Sequence, residues 1–297
     1  DWYDYLAGQS HVQEVNFWQP SPRKPVNLSE GEPFLFKLHK RHGGWVAGGG
    51  YWAHFTVLPA RYAWDVFGTM NGAATFEEMA SRIGRYRSGF DVHTHEIGCV
   101  ALVQPVFLSP EDWIEPPPDW RPQVQVGRTY DTGDQGGASL WMRFEAARRG
   151  AAGTAAIPDV AANADRYGTP ALVAPRLGQG TFRARVLDAY DRRCAVTGER
   201  TLPVLEAAHI KPYSLSGPHA TENGMLLRSD LHTLFDRGYV TVTPRLELRV
   251  SRSIREEFEN GHDYYALDGR DVRQPIAPHP PPSSALLEWH GDVVFRG

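Results

Sequence analysis

The sequence predicts an α+β chain of two globular units, and three observations carry that prediction. Apolar runs in the first third are short, aromatic and β-branched, and are broken by Gly and Pro. The segment "TFEEMASRIGRYR" (75–87) interrupts them with helical spacing. Beyond residue 180 a helix, a turn, a strand, a loop, a second helix and a second strand follow one another. The 297 residues suffice for two cores of ordinary size. The expected divisions are a first domain over 1–122, a connector over 123–178 and a second domain over 179–297.

From the N-terminus, "VNFW", "PFLFKL", "WVAGGGYWAHFTVLP" and "IGCVALVQPVFL" read as strands of a curved sheet or barrel. The helix over 75–87 places Phe76, Met79, Ala80 and Ile83 on one side, with an acidic first turn that suits a helix N-terminus. "SPEDWIEPPPDWRP" (109–122) is proline-dense, is expected to be extended, and closes the first domain. The connector holds a helix over 138–149 and then a loose Gly/Ala segment. In "TFRARVLDAYDRR", Phe182, Val186, Leu187 and Tyr190 share a helical face. The turn "CAVTGER", a strand "LPVLEAAHI", a loop, a helix starting near Ser229 and a strand "YVTVTP" come next. A proline-rich tether ends in a short helix expected to dock back.

Composition narrows the function classes. Hydrophobic residues at 41% and charged residues at 22% are those of a water-soluble globular chain, and no apolar run is long enough to span a bilayer. The first residues lack the basic start and apolar run of a secretory signal, so the cytoplasm is the expected compartment. Cys99 and Cys194, one in each half, allow neither a disulfide framework nor a four-cysteine zinc site, and each is expected to be a small buried residue. A net charge of −4 provides no global attraction to nucleic acid, so DNA binding has to rest on local basic grooves.

The chemistry concentrates in "LEAAHIKPYSLSGPHATENGMLLRSDLHTLFDRGYV" (205–240). His209 ends a predicted strand, Asn223 lies in the loop and His232 lies in the helix, an order that brings all three to one point. Phosphodiester hydrolysis needs a base for water and positive charge at the phosphorane and the departing 3′ oxygen. A histidine suits the first task. An asparagine carbonyl suits the orientation of that imidazole. His232 and Asp236, four positions apart on one helix face, suit a shared cation. Lys211, Arg228, Arg192 and Arg193 are expected phosphate contacts, with solvated surface charge as the alternative for each.

These residues, together with "CAVTG", "EAAHIKP", "NGMLL" and "LHTLFDRG", resemble the HNH (ββα-metal) nuclease family over about Phe182 to Pro244. The resemblance implies that His209 is the general base, that Asn223 orients it and that His232 is a metal ligand. Asp236 stands where many members carry a second histidine. Ala208 stands where many carry an Asp or His ligand, so that Glu206 or water has to complete the shell. Cys194 lacks the CxxC partners that brace many relatives, and no structural zinc is expected. The mixed oxygen and nitrogen donors suit Mg²⁺ or Mn²⁺, with Ni²⁺ or Co²⁺ as substitutes. His219 is set aside as part of a variable loop, and His262, His279 and His290 as surface or packing residues.

The first half carries a surplus of aromatics beside glycines: Phe17, Trp18, Trp45, Tyr51, Trp52 and Trp64. Aromatic walls stack a flipped base, and Asn16, Gln19 or Asp91 are expected to read its polar edge. The physical alternative is that these rings are core. The order "VNFWQPS", "PFLFKL", "GGWVAGGGYW" resembles the start of the PUA-like superfamily, which includes EVE, YTH and SRA domains, over residues 14–110. That resemblance implies a β-barrel with a packed helix that reads modified bases. The two resemblances together imply a modification-dependent restriction endonuclease acting on double-stranded DNA that carries 5-methylcytosine or 5-hydroxymethylcytosine. One active site cuts one strand, so a double-strand break calls for a homodimer or for two nicks. Two other readings stay open: a nuclease of toxin or nicking type with no modification preference, and a non-catalytic DNA-binding module.

Overall fold

The computed structural model describes residues 2–92, 94–120, 127–152 and 177–297, without the side chains of 151 and 152. It divides into two compact units, Asp1–Arg176 and Leu177–Gly297. No helix among the described residues is long and apolar enough to cross a membrane.

The first unit opens with a short helix α1 (Trp2–Ala7) and is built on strands β1 (Glu14–Gln19), β2 (Pro33–Lys37), β3 (Val46–Pro59) and β4 (Glu96–Phe107). Each predicted strand is present. They form one antiparallel sheet in the order β1-β4-β3-β2. Between β3 and β4 the register shifts at Gly49/Tyr51 and at Trp52/His54, bulges that bend and twist a long strand. The glycine run of β3 has a steric reason, because a Cβ on Gly48 would lie 2.2 Å from the Val106 carbonyl oxygen. The expected barrel is corrected to an open sheet: β1 and β2 pair on one side only, and no strand among the described residues bridges them.

Helix α2 (Ala60–Phe67) follows β3 directly and is absent from the sequence reading, which ran the strand to Pro59 and assigned nothing to "ARYAWDVF". Its buried Ala60, Ala63, Val66 and Phe67 nevertheless keep helical spacing. Helix α3 (Phe76–Gly84) is the predicted one; it is capped by the Thr75 hydroxyl, which accepts from the Glu78 N–H, and it buries Phe76, Met79 and Ile83. One core gathers Leu6, Val15, Phe36, Trp52, Val100 and Leu102. A second joins Val46, Leu108 and Ile114 to Leu140 and Phe144 of α4 (Gln135–Ala152), so the helix expected in the connector packs on this unit. The Gly/Ala segment expected over the rest of the connector lies mostly outside the described residues.

In the second unit, α5 (Gln179–Ala189) buries Phe182, Val186 and Leu187. Cys194 is buried, and its sulfur accepts from the N–H groups of Thr197 and Arg228, which ties the "CAVTG" turn to the sheet. Strand β5 (Leu205–His209) pairs with β6 (Gly224–Arg228) in a register that sets His209 opposite Gly224. Strand β6 lies in what the sequence read as loop, because "GMLLR" is too short to show a period of two. Gly224 is required there, since a Cβ would sit 2.5 Å from Val186 and 3.0 Å from Phe182 of α5. Helix α6 (Ser229–Asp236) starts at the predicted residue and leads into the hairpin β7 (Val240–Val242) and β8 (Leu248–Val250). Two short helices, α7 (Ser253–Phe258) and α8 (His262–Tyr265), precede the terminal helix α9 (Ser284–Val293).

Helix α9 docks through His290, which is buried and stacks on Phe235 of α6 at 3.7 Å between ring centres. Its Nε2–H donates to the Phe235 carbonyl, and its Nδ1 accepts from the Thr241 hydroxyl at 2.8 Å. Burial lowers this imidazole to about 4, against about 6.5 in an unfolded chain. Between those values the folded state binds fewer protons than the unfolded one, so stability is fully present above pH 6.5 and is lost as pH falls toward 4. Thermal unfolding is therefore expected to move to lower temperature between pH 7 and pH 4.5, with a smaller shift in His290→Gln, which carries no titrating ring.

Candidate active site

Strand β5, the loop after it, helix α5, helix α6 and helix α9 surround a cavity of about 640 Å³. His209, His232, Asp236 and Glu206 line it, so the predicted base and both predicted ligands open onto the same space. The strand end fixes His209 and the helix face fixes His232 and Asp236. Gln179 and Arg183 of α5 line it as well; their i, i+4 spacing in the sequence was the available signal for them.

The His209 ring lies flat on Phe182, with 3.8 Å between centres and 13° between planes. Its Nε2 is 3.0 Å from Nδ1 of His219. Burial, and then the neighbouring His219 and His232, lower its pKa to about 4. The imidazole is neutral at pH 7 and keeps a lone pair for a proton.

Asn223 is fully buried, and its side chain is committed to the loop rather than to the imidazole. Its amide oxygen accepts from the Lys211 N–H at 2.9 Å, while its amide nitrogen donates to the carbonyls of Lys211 and Pro218 at 2.9 and 2.8 Å. The expected contact between this amide and His209 is thus replaced by a brace across residues 211–223. Gly217 tightens the same loop, since a Cβ there would fall 1.9 Å from the Lys211 oxygen.

His232 is held between two carboxylates: Nδ1 lies 2.6 Å from Glu206 and Nε2 lies 3.3 Å from Asp236. With the Nδ1 proton given to Glu206, Nε2 presents a lone pair toward an acceptor oxygen, an arrangement that a cation between them resolves. The spacing fits one, because two donors about 2.1 Å from an ion and at right angles lie about 3 Å apart. Burial, and then repulsion from Glu206, raise the Asp236 carboxyl, with His232 acting in the opposite direction. Asp236 thus sits where added positive charge is favourable. No group of three or more His, Cys, Asp or Glu side chains among the described residues is arranged to hold a metal ion. A cation here would take two protein donors and would fill its shell with water and phosphate, the habit of Mg²⁺.

Glu206, which the sequence offers to complete the shell at Ala208, lies 2.6 Å from Nδ1 of His232. It fixes the tautomer and plane of His232 from behind, as carboxylates do for metal-binding imidazoles. Glu206→Ala is expected to weaken divalent-ion affinity by about 10- to 100-fold, as read by titration of the protein with Mn²⁺. Unchanged affinity would contradict this role.

Of the expected phosphate contacts, Lys211 is next to the cavity, with its ammonium 5.3 Å from the Trp289 ring centre. Arg228 is held by Asp230 in two 2.7 Å contacts and Arg193 is paired with Asp191 at 3.1 Å, while Arg192 is adjacent at the end of α5.

The residues expected around a flipped base are distributed through the first unit. Phe17 and Trp52 belong to the core packed against α1. Asn16 and Trp18 alternate with Phe17 on β1 and therefore face the other side, where both are tied to Asn71 at 2.8 and 2.9 Å. Trp64 packs on Phe76. Tyr51 lines a small cavity with Trp141, Phe144 and Arg148, Trp45 lies over Gly43, and Asp91 accepts from the Thr94 hydroxyl in the turn before β4. Asn16 Oδ1 and Gln19 Nε2 are buried with no hydrogen-bond partner among the described residues.

The chain matches the HNH endonuclease family over residues 194–243. No curated protein matches it. Among solved structures it is similar to a "Modification dependent TagI restriction endonuclease", at 23% identity with a TM-score of 0.26, over 37% of this chain and 35% of that one. The chain thus spans about a third of that protein's length. The family match begins at Cys194, includes β5, the braced loop, β6 and α6, and ends at the close of β7. Residues 194–243 are thus an HNH endonuclease domain by the family match.

Proposed function

We propose that the chain is a modification-dependent DNA endonuclease whose second unit hydrolyses the phosphodiester and whose first unit selects DNA carrying a modified cytosine. The observation that supports the chemistry is the convergence of His209, His232 and Asp236 on one cavity. In this reading a water held against His209 gives its proton to the ring, its oxygen attacks phosphorus, and the bond to the 3′ oxygen breaks. HNH nucleases use a divalent metal ion, which at His232 and Asp236 supplies positive charge to the phosphorane and to the departing oxygen. Glu206 holds His232 in the ligating tautomer, and Asn223 keeps the loop in register with the base. Arg183 and Lys211 border the path of the backbone.

This chemistry reads the backbone alone, so selection belongs to another surface. Two features of the first unit support a base reader. Its segment order resembles the PUA-like superfamily, and Asn16 keeps a buried acceptor beside Trp18 with no partner among the described residues. A cytosine amino group is a donor of matching kind, and an indole is a stacking surface for a flipped 5-methyl- or 5-hydroxymethylcytosine. A nuclease with no modification preference is favoured by one specific observation: Trp52 is buried in the core and Phe17 packs against it, on the side of the sheet opposite Asn16 and Trp18. Cleavage of otherwise identical duplexes containing cytosine, 5-methylcytosine, 5-hydroxymethylcytosine, its glucosylated form or 6-methyladenine separates the two. The proposal expects cutting of a modified-cytosine duplex and sparing of the unmodified one. Equal cutting of all five would overturn the reader and leave the nuclease.

A further inference from the structure

We infer that His219 is the positioning partner of the general base, holding His209 in the tautomer that accepts a proton and sharing the charge that results. The inference rests on the nuclease reading and adds a residue that neither the sequence pattern nor the family match assigns to the chemistry.

The geometry leaves this task to His219. Asn223, the expected orienting group, uses its amide on the backbone of Lys211 and Pro218. The ring nitrogen 3.0 Å from His209 Nε2 is Nδ1 of His219. Both rings are clamped: Phe182 stacks on His209 at 3.8 Å, and Tyr213 stacks on His219 at 4.4 Å with 18° between planes. The two imidazoles meet at 65°, edge to face. The braced loop that carries His219 is therefore also the element that sets the plane of the base.

A neutral imidazole has one N–H. When His209 donates from Nε2 to Nδ1 of His219, its own Nδ1 keeps the lone pair that takes a proton from water. As the water O–H bond breaks and the N–H bond forms at Nδ1, the ring becomes an imidazolium. Its existing Nε2–H bond to His219 then becomes charge-assisted and strengthens. That gain is present in the transition state and absent from the ground state, so it accelerates the step. The opposite tautomer, with the proton on Nδ1 of His209, leaves no acceptor for water and is unproductive.

The experiment compares the full-length wild type with His219→Leu, which fills the space without an acceptor, and with His219→Gln, which keeps an acceptor oxygen. Single-turnover cleavage of a duplex that the wild type cuts is read beside DNA affinity and melting temperature. His219→Leu is expected to be about 10- to 100-fold slower at unchanged affinity, and His219→Gln to recover most of the loss. Equal rates for wild type and His219→Leu would overturn the inference, as would equal losses in the two variants. A readout independent of activity and of variant folding is the ¹⁵N shift pattern of the His209 ring in the wild type. The Nε2–H tautomer is expected; the Nδ1–H tautomer would overturn the inference. A wild type that cuts no DNA would count against the nuclease reading, while the tautomer would still decide the role of His219.

Discussion

Replacing His209 with alanine is expected to slow strand cleavage by about 10²- to 10⁴-fold, the usual contribution of a positioned general base, while DNA affinity stays unchanged. The ring is held by Phe182 on one face and by His219 at its edge, so it accepts a proton without reorganising. Its pKa gives the variant an independent check. Burial first, and the two neighbouring histidines after it, lower the group to about 4, so the proton-accepting form persists well below pH 6. A cation at His232 and Asp236 pushes in the same direction. The rate contributed by this base is thus expected to be level from pH 8 to about 6 and to fall toward pH 4. A half-maximal rate near pH 6.5, the value of an unperturbed imidazole, would show that the ring is not held as described.

The second large effect is expected at Asn223. Its side chain is fully buried and satisfies one N–H and two carbonyls of the loop that separates β5 from β6. An unmet buried polar group costs about 1–3 kcal/mol. Asn223→Ala is therefore expected to remove about 3 kcal/mol of stability once the loop relaxes and water reaches part of it, as measured from the denaturant midpoint. Asn223→Asp fares no better, because it sets carboxylate oxygens against two carbonyls. Cleavage is expected to fall in both variants, since the loop carries His219 and Tyr213. An asparagine that oriented the imidazole directly would give the opposite pattern, with normal stability and a slow reaction.

These expectations show what the sequence discloses and what it leaves hidden. Strands β1 to β4 were legible because β-branched and aromatic runs are bounded by turn residues. Helix α3 was legible from its acidic first turn and the spacing of Phe76, Met79 and Ile83. Helix α2 was not, because it continues an apolar run from β3 with no Gly or polar break between them. The open sheet was hidden for a different reason: closure depends on which edges pair, and a strand pattern does not encode pairing.

At the site, residue type and spacing single out His209, His232 and Asp236, which the structure brings to one cavity because a strand end and one helix face impose fixed directions on those side chains. The partners of these groups were less legible. Glu206 precedes Ala208 by two residues and in the sequence offers itself as a substitute ligand; its position behind His232 depends on how α6 packs on β5. His219 lies ten residues from His209 in a loop without periodicity, and the brace formed by Asn223 and Gly217, with Phe182 and Tyr213 stacked on the two rings, brings them together. Conversely, Trp52 and Phe17 fit a pocket by composition and were placed in the core by alternation along their strands.

At the centre of the proposed chemistry is one cation held by His232 and Asp236 beside His209. The decisive measurement is conversion of a supercoiled plasmid containing modified cytosine to nicked or linear product in Mg²⁺ or Mn²⁺. The proteins compared are the wild type and the double variant His232→Ala/Asp236→Asn. Cleavage by the wild type that a chelator abolishes is expected, and none by the variant. Cleavage by the variant at the wild-type rate, or wild-type cleavage that persists in the chelator, would contradict it.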